Sequence, residues 1–170
     1  NNKDLYFDET NTRMVMNYRN NYARLAESLF SKGDTLRAMA VVDKCMFEFP
    51  RDVVNLSYFA IPLIDLYYKG EEDSKGDDLL ALMIDDYLTE YKYLSEFDKG
   101  SGLKQNFNIC GQVLGSLTRV LQIHQPNDQT YSYIKEEDKY YKMKDDNVKE
   151  EINYPTFRIN TFLDEYYALQ

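Results

Sequence analysis

The chain has 170 residues with 29 acidic and 20 basic side chains, a formal charge of −9, and an apolar fraction of 44% that includes 16 Tyr and 9 Phe. This is globular composition, at a length suited to one domain with a substantial core. The carboxylate excess argues against nucleic acid or an anionic bilayer as a partner. The longest apolar stretch, residues 58–64, is interrupted by Pro62 and falls well short of the ~20 residues of a membrane span, so direct bilayer insertion is not expected.

Only 7 Gly and 4 Pro are present, which favours long helices. The expected fold is all-α: a single domain over 1–170, with a first hairpin at 8–50, a second at 53–99 and capping helices over 101–170. The start at Asn1, without Met or a signal pattern, reads as a cut fragment or processed form.

Over residues 10–30, Met14, Tyr18, Tyr22, Leu25 and Leu29 recur at helical steps and define the expected inward face of a first helix. Ser31-Lys32-Gly33-Asp34 stops it, the glycine suiting a left-handed C-cap and Asp34 or Thr35 an N-cap for the next helix. That second helix carries the stripe Ala38, Val42, Cys45 and Phe49 and ends at Pro50. A third pattern, Leu56, Phe59, Ala60, Leu63, Ile64 and Tyr67, runs to Lys69-Gly70, with a kink expected at Pro62.

Beyond Glu71-Glu72-Asp73, the positions Leu80, Met83, Ile84, Tyr87, Tyr91 and Leu94 predict a fourth helix ending near Lys99-Gly100. A fifth follows the break Gly100-Ser101-Gly102 through Leu103, Phe107, Cys110, Leu114, Leu117 and Leu121. With Ile109, Val113 and Val120 on a second side, it should be the most buried. Gln125-Pro126-Asn127-Asp128 breaks the pattern. The stretch 135–151, dense in both charge signs, reads as a solvated helix with a flexible joint. A last helix over 156–169 faces Ile159, Phe162, Leu163 and Tyr166 inward, with Pro155 at its start.

The first two helices also carry the spacing of a tetratricopeptide unit: Tyr22, Leu25, Ala26, Leu29, Ala38, Val42, Cys45 and Pro50. Ala26 and Ala38 allow close helix approach, and the larger residues fill the groove. A shift of 38 residues gives a more divergent second unit, Ala60, Leu63, Ile64, Tyr67, Gly76, Leu80 and Met83, so about two repeats are expected, extended by capping helices.

The segment 9–26, followed by Gly33-Asp34 and Asp43-Lys44-Cys45-Met46, resembles the C-terminal soluble domain of a bacterial family of unknown function. Those are multi-pass membrane proteins whose N-terminal part resembles protein O-mannosyltransferases. The resemblance covers about the first half of the chain. It implies a soluble, extracytoplasmic tail of a glycosyltransferase-like inner-membrane protein, with any catalytic acid upstream and no family catalytic residue in this segment.

Arg13, Asn17, Asn20, Arg24 and Glu27 form one polar stripe on the first helix. In a tetratricopeptide hairpin that helix lines the concave surface, where the repeat offset adds Tyr58, Asp65 and Tyr68. Arg24 suits a carboxylate or phosphate, the asparagines suit a peptide backbone or sugar hydroxyls, and the tyrosines suit stacking. The competing reading has these residues bonding neighbouring helices and loops. His124 lacks companions for a metal site and reads as a helix-end cap. The acidic clusters lack calcium-loop spacing, and Cys45 and Cys110 read as packing residues.

No catalytic residue, metal or cofactor is expected. The expected function is protein interaction or scaffolding, with a protein or peptide partner, for which the membrane part of the same chain is one candidate, and a glycan as a further candidate ligand. The alternative is a free-standing exported protein that binds a peptide or glycan.

Overall fold

A computed structural model describes residues 8–97, 102–124, 132–144 and 148–169. The chain is mostly helical, with a small three-stranded sheet. It divides into two compact units, 1–76 and 77–170. The boundary falls inside the span 53–99 of the expected second hairpin.

In the first unit, α1 (Glu9–Ser31) and α2 (Thr35–Glu48) form an antiparallel hairpin. Asp8 caps α1 by accepting from the Asn11 N–H at 2.7 Å. The turn between the helices follows the expected chemistry. Gly33 takes φ 78°, and the Asp34 carboxylate accepts from the Arg37 N–H at 3.2 Å. A 3₁₀ turn (Tyr58–Ala60) and α3 (Ile61–Lys69) complete the unit, and both pack against α1. Pro62 lies in the first turn of α3, so no kink arises there. Proline's missing N–H falls where a helix has no partner for it.

The inward face of α1 differs from the expected one. Its buried residues are Val15, Arg19, Ala23 and Ala26, whereas Met14, Tyr18 and Leu25 are 49%, 48% and 51% exposed. At about 100° per residue, the buried stripe is rotated roughly a quarter turn from the large-residue stripe. The cause is close approach. Ala26 and Ala38 are fully buried in the two helices of the hairpin, so the positions at Ala23, Ala26 and Ala38 take small side chains and large ones flank them. Tyr22 and Leu29 are only half-buried.

Arg19 is wholly buried yet donates to three backbone carbonyls: Phe49 at 2.9 Å, Val54 at 2.6 Å and Asn55 at 2.7 Å. It thereby places a cation at the C-terminal end of α2, where the helix dipole is negative. Tyr18 stacks on Phe49 with centroids 5.6 Å apart, and Tyr22 meets the same ring edge-on.

The long helix α4 (Asp73–Ser95) begins in the first unit and continues into the second, ending short of the expected Lys99-Gly100, which lies outside the described residues. In the second unit, α5 (Lys104–His124) buries Cys110, Val113, Leu114, Leu117 and Leu121 as expected, while Ile109 is exposed. The most buried helix is α3, with six of its nine residues inside, not α5. The divergent repeat positions Ala60, Leu63, Ile64, Tyr67, Leu80 and Met83 are all buried. Tyr91 stacks on Phe107 at 4.5 Å and meets Tyr166 edge-on. The expected break at Gln125-Pro126-Asn127-Asp128 lies outside the described residues.

The charged stretch is a sheet, not a solvated helix. β1 (Ser132–Glu136), β2 (Lys139–Lys144) and β3 (Val148–Ile152) form an antiparallel meander in that order. Glu136 pairs with Lys139 across a two-residue turn whose Glu137 takes φ 53°. The opposite charges meet across strands: Lys139 binds Glu151 at 3.0 Å, and Lys149 binds Glu136. α6 (Tyr154–Ala168) packs on β1 and β2, with Phe157 and Tyr154 against the Tyr140 ring. Asn153 caps α6, Pro155 sits in its first turn, and Ile159, Phe162 and Tyr166 are buried while Leu163 is half-buried.

Candidate functional site

The eight residues expected to line a groove fall into three environments. Arg13, Asn17, Arg24 and Glu27 lie exposed on α1, Asn20 is half-buried there, and Tyr58 is exposed on the 3₁₀ turn that packs against α1. Asp65 is half-buried and paired with Lys69 at 2.6 Å. Tyr68 is buried in the core, its ring so close to Gly76 that an added Cβ there would sit 3.0 Å from it.

What the spacing did not reveal is that Met14, Tyr18 and Leu25 share the outer side of α1 with the polar stripe. Beside this mixed face, Arg13 reaches Glu9 only at 4.0 Å with both side chains mostly exposed, a geometry worth little in water. No ion pair holds Arg24 among the described residues. On α2, Leu36 and Phe47 are 87% and 74% exposed. The signal that could have located the face was the small-residue pair Ala23 and Ala26, one turn apart with Val15 and Arg19 in register.

Several polar groups elsewhere are tied into structure. Asp43 accepts from the Tyr67 hydroxyl at 3.0 Å and from Lys75 at 3.0 Å. Burial, reinforced by the Asp43 charge, holds the Tyr67 phenol far above its ordinary range. In the second unit Asp85 accepts from Arg158 at 2.6 Å and from the Tyr154 hydroxyl at 2.5 Å, and Arg158 also donates to Glu165 at 2.8 Å. Lys92 completes the chain by donating to Glu165 at 2.8 Å.

Both cysteines are buried. Burial pushes the Cys45 thiol up to about 11 and the Cys110 thiol up to about 12, the latter with help from Glu90, so neither is a poised nucleophile. His124 is half-buried at the last position of α5. No group of three or more His, Cys, Asp or Glu suited to a metal ion occurs among the described residues. No helix among them is long and apolar enough to cross a membrane. Compared with protein-family models, with curated proteins and with solved structures, the chain matches none.

Proposed function

We propose that this chain is a non-catalytic interaction domain, and that it serves as the soluble C-terminal tail of a membrane-embedded, glycosyltransferase-like protein. The observation that carries the first part is the outer face of α1. Met14, Tyr18 and Leu25 are each about half exposed beside Arg13, Asn17 and Arg24, on a helix whose other side is buried. Apolar anchors bordered by polar groups are the composition of a contact surface. Buried thiols and carboxylates engaged in ion pairs support assigning the remaining polar groups to structure.

The second part rests on the resemblance over 9–26, Gly33-Asp34 and 43–46, all of which lie in the first unit. On this reading α1 docks on the membrane portion of its own chain or on a separate protein.

Two measurements test it. A photo-cross-linking residue in place of exposed Asn21, in the complete protein in its native membrane, should give a discrete protein adduct that a Leu25→Asp variant loses. The absence of any such adduct would refute docking through α1. The reading frame upstream of the Asn1 codon should encode apolar segments of spanning length. A start codon or signal peptide immediately upstream would refute the tail assignment and favour a free-standing exported peptide- or glycan-binding protein.

A further inference from the structure

We infer that the outer face of α4 takes a basic amphipathic helix from a partner protein; this surface lies in the second unit and does not rest on the α1 reading. Leu82 and Tyr93 are exposed on α4, eleven residues or about 16 Å apart and in line with its axis, with exposed Thr89 between them. Phe97, exposed just past the helix end, sets its ring edge-on to Tyr93 at 4.9 Å and prolongs this ridge. Exposed carboxylates border it. Asp78 stands one turn before Leu82, and Glu90 and Glu96 stand one turn to either side of Tyr93. Residues 77–91 contain five carboxylates and no Lys or Arg. Lys92 and Arg158, the latter reaching α4 from α6, are both committed, Lys92 to Glu165 and Arg158 to Asp85 and Glu165. No ion pair holds Asp78, Glu90 or Glu96 among the described residues. The Cys110 thiol beside Glu90 is neutral and leaves its charge in place. On α1, by contrast, exposed Glu9 and Glu27 balance Arg13 and Arg24.

A complementary surface needs apolar side chains spaced over three turns and cations beside them. An amphipathic helix with Lys or Arg along its apolar stripe meets both conditions. An extended segment gains less, because a helix face offers it no free main-chain donors or acceptors. A bilayer of anionic lipid and a nucleic acid both carry the sign of this face and are repelled by it. A second copy fits no better, since pairing α4 with itself sets carboxylates against carboxylates.

The test uses two synthetic amphipathic helices, each about five turns long, with the same leucine face, one flanked by lysine and the other by glutamate, and a scrambled lysine peptide that cannot form the face. Their binding to the 170-residue chain is followed by fluorescence anisotropy at low salt. A charge of −9 attracts any cation, so the deciding readout is local neutralisation. Asp78→Asn with Glu90→Gln should weaken the lysine helix about tenfold, or ~1.4 kcal/mol, as the loss of two surface charge contacts gives. Glu9→Gln with Glu27→Gln, the same charge change on α1, should alter it less than about twofold. Tyr93→Ala, with helicity unchanged by circular dichroism, should also weaken it. Equal weakening by the two double variants, equal binding of the scrambled peptide, a preference for glutamate, or binding of neither helix overturns the inference. So does dimerisation of the chain that Tyr93→Ala abolishes, which would make the face a contact between copies.

Discussion

Replacement of Arg19 by Met should strongly destabilise the first unit, by about 3 kcal/mol. The guanidinium is wholly buried and donates to the carbonyls of Phe49, Val54 and Asn55 at 2.6–2.9 Å. Hydrogen bonds from a charged donor contribute roughly 1.5–3 kcal/mol each, so three give a gross loss of about 5–9 kcal/mol. Two offsets apply. Removal of a buried cation recovers several kcal/mol of desolvation cost. The Phe49 and Asn55 bonds are only partly buried, so water can reach those oxygens, while the fully buried Val54 bond has no such rescue. Methionine keeps the volume and flexibility of the stem, which separates polar loss from cavity formation. In urea unfolding followed by circular dichroism, a slope of about 2 kcal/mol/M converts the loss to a midpoint shift of about 1.5 M. Faster amide exchange should appear first over residues 49–57. Arg19→Lys should recover only part of the loss, because an ammonium lacks the planar fork that spans three carbonyls. A loss below about 1 kcal/mol for Met, or full recovery by Lys, would refute a pinning role for Arg19.

In the second unit, burial pushes the Glu165 carboxyl up, but the hydrogen bond from Lys92 and the Arg158 charge outweigh it and hold the group below its ordinary value of 4.5. A depressed carboxyl adds stability that is present above the unfolded pKa and is lost as pH falls through the folded one. The urea midpoint should therefore drop below about pH 4.5, and Glu165→Gln should flatten that slope; an unchanged slope would count against the ion-pair chain. Cys45 and Cys110 should resist iodoacetamide at pH 8 in the folded chain and react on unfolding, as read by mass spectrometry, because burial keeps both thiols protonated. Fast native labelling would show that one of them is accessible. Gly33→Ala should cost about 1 kcal/mol through backbone strain alone, since φ is 78° and an added Cβ meets nothing within 4 Å. An unchanged midpoint would mean the turn readjusts at no cost.

The helix positions and termini that were legible are those that rest on local chemistry. Gly33 and Asp34 mark the first turn, Pro155 the start of the last helix, and the stripes Ala38, Val42, Cys45 and Ile159, Phe162, Tyr166 point inward as their spacing requires. Which side of α1 faces inward was not legible from size. A count of large apolar residues selects Met14, Tyr18 and Leu25, but the distance between two closely packed helices is set by Ala26, Ala38 and their small neighbours. The candidate site was therefore half visible. The polar stripe Arg13, Asn17 and Arg24 was found as polar, while its apolar border was assigned to the core. Tyr68, placed at the surface by repeat offset, lies under Gly76, because an offset transfers position along a helix and not the packing around it.

The sheet was hidden for a different reason. Strand alternation shows in a sequence when one face is dry and the other wet. Here the adjacent residues Tyr140 and Tyr141 point to opposite faces, both are half-buried, and each ring has a neighbour. Tyr140 lies against Phe157 and Tyr154 of α6, and Tyr141 lies beneath the Lys149 ammonium, 5.4 Å from its ring centre. With an aromatic on each side the period of two disappears. The flanking Lys and Glu residues, which pair across β1, β2 and β3, then resemble the mixed charges of a solvated helix. Only the register separates the two cases. In the sheet Lys149 reaches Glu136 across the intervening strand, a partner thirteen residues away that no helical spacing connects. The same pairs occupy polar groups that would otherwise leave a short, highly charged meander marginal on its own. The covering helix α6 supplies the apolar contact that lets it persist.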